Sequence, residues 1–101
     1  MRCDSPRGAS VAAHVVLAMA ARAGLPPLMS GRIQADVAAA AGSCAGLVEM
    51  ACAVTEDGLY ISLTAPADQL AGMAALLDGH RPQVSPGKLE LRLQRTQLRV
   101  V

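Results

Sequence analysis

Apolar residues recur at helical spacing in three stretches of this chain and alternate with polar residues in three others. In the first stretch Val11, Val15, Ala18 and Met19 share one side of a 3.6-residue helix, and Arg22 continues the series. The spacing predicts a helix from a Ser10 cap to about Ala23, with those four residues buried and Gly24 left-handed just past the end. Residues 1–9 read as an irregular lead-in. "GLPPL" then breaks the helix, because successive prolines lack amide donors and restrict the residue before them. A second helix is predicted from Leu28–Ser30 to about Ser43. Its core face is Ile33, Val37, Ala40, Ala41 and Cys44, and a second stripe of equal spacing holds Arg32, Asp36, Ala39 and Ser43.

From Leu47 the period changes to two. Val48, Met50, Cys52 and Val54 alternate with Glu49, Ala51, Ala53 and Thr55, and Leu59, Ile61 and Leu63 alternate with Tyr60, Ser62 and Thr64. Asp57-Gly58 between the runs predicts a tight hairpin. Pro66 ends the second strand, and residues 67–78 form a third helix with Leu70, Met73, Ala74 and Leu77 inward and Gly79 as its stop. "HRPQVSPG" reads as a loop. Leu89, Leu91 and Leu93 then alternate with Glu90, Arg92 and Gln94, a strand that Gln97–Val101 would continue or pair. The order α-α-β-β-α-β, with room for one further strand, predicts an α+β two-layer sandwich. Three helices would cover one face of a small antiparallel or mixed sheet.

The chain has 101 residues, which reads as a single domain over 1–101. Hydrophobic residues make up 52% of it, yet Tyr60 is the only aromatic, so the core must rest on many small aliphatic contacts. Nine basic and eight acidic residues leave a formal charge of +1, which gives no reason to expect nucleic acid or an anionic membrane as partner. A local basic excess at Lys88, Arg92, Arg95 and Arg99 reads as a solvated strand face. Cys3, Cys44 and Cys52 are odd in number and form no CxxC pair, and His14 and His80 lie far from them. That excludes a zinc signature and suits a reducing, cytoplasmic setting. Arg2 and Arg7 before the apolar run Val11–Ala21, followed by Ala21-Arg22-Ala23, loosely outline a secretory signal; Asp4 and His14 count against it, and the run is too short to span a membrane.

The segment "AARAGLPPLMSGRIQADVAAAAGSCAGLVEMACAVTEDGLYISLTAP" resembles the ATP-binding domain of anti-sigma-factor kinases and histidine kinases, the Bergerat fold. The resemblance covers about residues 15–66. It rests on a helix, the "GLPPL" break, a long helix opening near Arg32 and reaching Val37, and a hairpin with an acidic-Gly turn. It implies a Glu that orients the attacking water and, four residues on, an Asn that holds Mg²⁺, both on one helical face. Anchored on Arg32 and Val37, those places fall at Ala39 and Ser43; shifted to Asp36, the second falls at Ala40. Neither register supplies the pair. The family's Asp-x-Gly-x-Gly loop is replaced by "SLTAPAD", where Asp68 belongs to the first turn of the third helix, and no Gly-rich lid is present. The resemblance therefore implies a degenerate, truncated domain that binds no nucleotide, metal or other cofactor.

The remaining chemistry is sparse. His14 lies between Ala13 and Val15 with no acidic neighbour within a turn and reads as structural, while His80 follows a helix end, where a cation is favoured. Glu56 and Asp57 sit in a turn, and no Ser or Cys has a His–Asp pattern, so no enzyme activity is expected. Tyr60, Ser62, Thr64 and Thr55 would form a wet outer sheet face, and Arg32, Asp36, Tyr60 and Arg92 are the candidate partner-binding residues. Ala38–Ala41 or the set Met19, Met29 and Met50 could meet a second subunit. The expectation is a non-catalytic regulatory module that docks a signalling protein or self-associates. The alternatives are a small-molecule or enzymatic domain using a helix–sheet cleft near Tyr60 or His14, and a structural homodimer paired through residues 88–101.

Overall fold

The computed structural model describes residues 2–3, 6–43 and 48–94. A two-residue strand β1 (Arg2–Cys3) leads into helices α1 (Pro6–Arg22) and α2 (Pro27–Ser43), then strands β2 (Val48–Val54) and β3 (Gly58–Thr64). Helix α3 (Ala67–Leu76) follows, continued by a 3-10 turn at Asp78–His80, and strands β4 (Gln83–Ser85) and β5 (Lys88–Gln94) complete the described elements. The strands form one sheet in the order β1-β2-β3-β5-β4, every neighbouring pair antiparallel. The fold is α+β, as the period changes predict, and the mixed-sheet option falls away.

Local chemistry explains the boundaries. Gly24 takes φ 79, and the amides of Gly24 and Leu25 donate to the carbonyls of Ala21 and Ala20. That is a Schellman closure, with Leu25 buried as its apolar contact. Pro27 opens α2, where a missing amide costs nothing, and the Pro26 carbonyl accepts from both the amide and the hydroxyl of buried Ser30. Ser85-Pro86-Gly87-Lys88 turns β4 into β5, with proline first and Gly87 at φ 79, the type II arrangement.

The helices bury one apolar stripe each against one sheet face. Val16, Ile33, Val37, Leu70, Met73 and Leu77 meet Val48, Met50, Leu59, Ile61, Leu63, Leu89, Leu91 and Leu93 in a single cluster. Burial of each such aliphatic side chain contributes about 1.5–3 kcal/mol, which lets the core do without large rings.

Several expectations are corrected. The buried stripe of α1 is Ala12, Val16, Ala20 and Ala23, while Val11 and Val15 are 46% and 38% exposed and Ala18 is also exposed. The helix is turned by one residue step, about 100°, from the predicted face. Small alanines let its backbone lie close to its neighbours, and His14 is the one polar mark between Val11 and Ala21 that could orient the pattern. α1 begins at Pro6 instead of Ser10, and Arg2–Cys3 are not irregular but pair with Glu49 and Val48. Part of "HRPQVSPG" is strand β4.

At the β2–β3 hairpin Glu56 and Asp57 are the central residues: the Thr55 amide donates to the Gly58 carbonyl, and the Gly58 amide donates to Thr55 Oγ1. Gly58 starts β3 without a positive φ; it is required because a Cβ there would overlap the Leu93 carbonyl. Burial fades along β2, and Val54 is exposed, since β1 flanks only Val48 and Glu49. Ser62 is buried between Ala51 and Glu90 on the neighbouring strands. After α3 the left-handed residue is Arg81 (φ 56), not Gly79. Met50 is a core residue and Met19 and Met29 pack against the core, while Ala40 and Ala41 are buried, so these sets form no continuous outer face. Cys44 and the strand predicted for Gln97–Val101, with Arg95 and Arg99, fall on positions outside the described residues.

Candidate functional site

The candidate residues fall into two groups on opposite sides of the sheet. The second stripe of α2 faces outward, with Arg32, Ala39 and Ser43 exposed and Asp36 half-buried. Ser43 Oγ donates back to the Ala40 carbonyl at 2.8 Å, a local bond common for serine within helices. Asp36 Oδ2 lies 2.6 Å from Nε2 of His80, whose side chain is nearly buried at the end of the 3-10 turn. The one carboxylate of the stripe is thus engaged with a histidine whose place after a helix end predicts no more than a favourable cation there.

Strand register builds the second group. Tyr60 on β3 stands directly opposite Arg92 on β5, and Arg92 Cζ lies 5.0 Å from the Tyr60 ring centroid, a cation–π contact. The Tyr60 hydroxyl donates to Glu90 Oε2 at 2.5 Å. The same oxygen lies 3.7 Å from the Arg92 guanidinium and 4.0 Å from Lys88 Nζ. The Tyr60 hydroxyl holds the Glu90 carboxyl below its ordinary range, against partial desolvation and with help from Lys88 and Arg92.

His80 joins the two groups. Toward the sheet it lines a cavity of about 270 Å³ with Arg81, Gln83, Glu90, Arg92 and Gln94. Toward α2 it borders a second cavity of about 300 Å³ with Pro26, Leu28, Met29, Arg32 and Gly79. The structure therefore brings Arg32, Asp36 and Arg92 to the surroundings of one histidine. The signals missed in the sequence were His80, Arg81 and Glu90. The alternation of β5 already places Glu90 beside Arg92 on the outer face, whereas nothing local announces the pairing of His80 with Asp36.

His14 is exposed on α1, its Nδ1 donating to the Ser10 carbonyl at 2.8 Å. It lines a groove between α1 and α2 with Ala13, Ala35 and Ala38. Cys52 is a free, half-buried thiol, and burial pushes its pKa up, away from nucleophilic use. Among the described residues no three His, Cys, Asp or Glu side chains converge to hold a metal ion, and no helix is long and apolar enough to cross a membrane.

No protein-family model matches the chain, and no curated protein or solved structure matches it significantly.

Proposed function

We propose that this chain is a non-catalytic docking module, similar in element order to a Bergerat ATPase domain that has lost its nucleotide, and that it acts on a signalling protein in the cytoplasm. The observation that carries the reading is the state of the α2 stripe. Where such a domain needs a carboxylate and a carboxamide facing the phosphates, this helix has the methyl of Ala39 and the hydroxyl of Ser43, already bonded to Ala40. The neighbouring Asp36 carboxylate is held by His80. Neither register leaves the pair of groups that would orient water and bind Mg²⁺.

Protein docking is favoured over small-molecule turnover by the outer side of α1. Val11 and Val15 are exposed there, one helical turn apart, and no Asp, Glu, Lys or Arg occurs between Arg7 and Arg22. Apolar surface without charge is the signature of an interface centre. The partner would present a matching apolar face. Calorimetric titration with Mg²⁺-ATP, coupled to a phosphate-release assay, tests the loss of catalysis: no turnover is expected, and tight binding with hydrolysis overturns the reading. Sedimentation at two concentrations distinguishes a monomer that docks another protein from a self-associating chain.

A further inference from the structure

The outer-face cavity holds an arginine that its backbone position does not favour. Arg81 follows the 3-10 turn at φ 56 and ψ 61, the one non-glycine residue with positive φ among the described residues. Glycine adopts that conformation freely, whereas a side chain meets steric cost there. The chain nonetheless keeps a long cationic side chain at this point, and among the described residues that side chain has neither an ion pair nor a hydrogen bond. Its guanidinium has donors to offer and no internal acceptor.

The rest of the lining supplies what a ligand anion would need. Arg92 lies over the Tyr60 ring and 3.7 Å from Glu90, contacts that leave N–H donors for a second acceptor. The carboxamides of Gln83 and Gln94 line the same cavity and have no side-chain partner among the described residues. Among the described residues Glu90 is the only acidic one of the lining, and its Oε2 is already shared by the Tyr60 hydroxyl, Lys88 and Arg92. The cavity thus carries two guanidiniums against one committed carboxylate. Its volume of about 270 Å³ lies just below the usual range for drug-sized ligands.

We propose that this cavity binds a small organic anion, its phosphate or carboxylate group held between Arg81 and Arg92 and its remaining acceptors met by Gln83 and Gln94. Paired N–H donors from two guanidiniums suit the two-oxygen edge of either group. The lining shares no residue with the α2 stripe or the exposed side of α1 and meets the stripe through the His80–Asp36 bond, so the proposal rests on observations other than those behind the docking role.

The test is a titration of ¹⁵N-labelled protein at fixed ionic strength, with inorganic pyrophosphate in one arm and citrate in the other to separate phosphate from carboxylate chemistry. Saturable shifts at Arg81, Gln83, Glu90, Arg92 and Gln94 are expected with at least one probe, and the stronger arm names the group. Arg81→Gly is expected to weaken binding at least tenfold while its Tm holds or rises, because glycine relieves the left-handed strain. A merely structural arginine would give the opposite Tm change. Arg92→Gln, outside the strained turn, is expected to weaken binding likewise, and Arg22→Gln on α1 to leave it unchanged. Failure of both probes to saturate, or wild-type affinity in Arg81→Gly, overturns the proposal.

Discussion

The carboxylate of Asp36 in α2 and Nε2 of His80 after α3 stand 2.6 Å apart although 44 positions separate them in sequence. The bond ties the middle of a helix to the turn that leads into β4, so it fixes where the walls of both flanking cavities lie. His80 is nearly buried and Asp36 is 39% exposed, which places the contact between the surface and the interior. In a double-mutant cycle with Asp36→Asn and His80→Gln, a coupling of about 1 kcal/mol is expected from urea unfolding. Additive single effects would show that the contact is incidental.

Gly58 and the helical glycines should respond in opposite ways to alanine. A Cβ at Gly58 meets the backbone of Leu93 on β5, which cannot yield without separating the central strands. Gly58→Ala is therefore expected to cost about 1–3 kcal/mol, as overpacking does. At Gly31, Gly42 and Gly72 a Cβ meets nothing within 4 Å, and alanine there should stabilise by about 0.5–1 kcal/mol each through helix propensity. Thermal melts of the four variants check both signs.

The orientation of α1 can be tested by size changes on its two faces. Val11→Ser and Val15→Ser, on the exposed side, should shift stability by no more than about 0.5 kcal/mol. Ala20→Leu, on the fully buried side, should destabilise by about 1–3 kcal/mol. The predicted stripe of Val11, Val15, Ala18 and Met19 would give the reverse order.

That stripe also shows where the sequence stops being informative. β2, β3 and β5 were legible because a period of two with polar partners such as Glu49, Tyr60 and Arg92 allows one register. α2 was legible because Arg32 and Asp36 mark its outer side. In α1 nearly every residue from Val11 to Ala21 is apolar, so periodicity could not choose between Val15 and Val16, and close packing of alanines decided it. β1 and β4 are two- and three-residue strands, too short for any period to register. At the site, Tyr60 and Arg92 were singled out and do meet. His80 and Arg81 acquire their neighbours only through the tertiary path of the chain after α3.

Acidification should reveal the Tyr60–Glu90 bond. The folded-state pKa of Glu90 is lowered, first by the Tyr60 hydroxyl and then by Lys88 and Arg92. Its contribution to stability is therefore complete above the unfolded-state carboxylate pKa and is lost as pH falls through the lower folded value. In Tyr60→Phe the Glu90 midpoint, followed by NMR of its side-chain carboxyl carbon, should move up toward the ordinary carboxylate range. An unchanged midpoint would show that the hydroxyl does not hold the charge.

The outer stripe of α2 is where the proposed loss of nucleotide chemistry can be read most directly. Backbone amide spectra of residues 33–43 recorded during titration with Mg²⁺-ATP, beside a parallel titration with ATP and EDTA, report on that helix residue by residue. With Ala39 and Ser43 in place, those amides should give no saturable, magnesium-dependent shift, and no ADP should accumulate. A saturable shift at Asp36, Ala39 and Ser43 that requires magnesium, accompanied by ADP, would contradict the account.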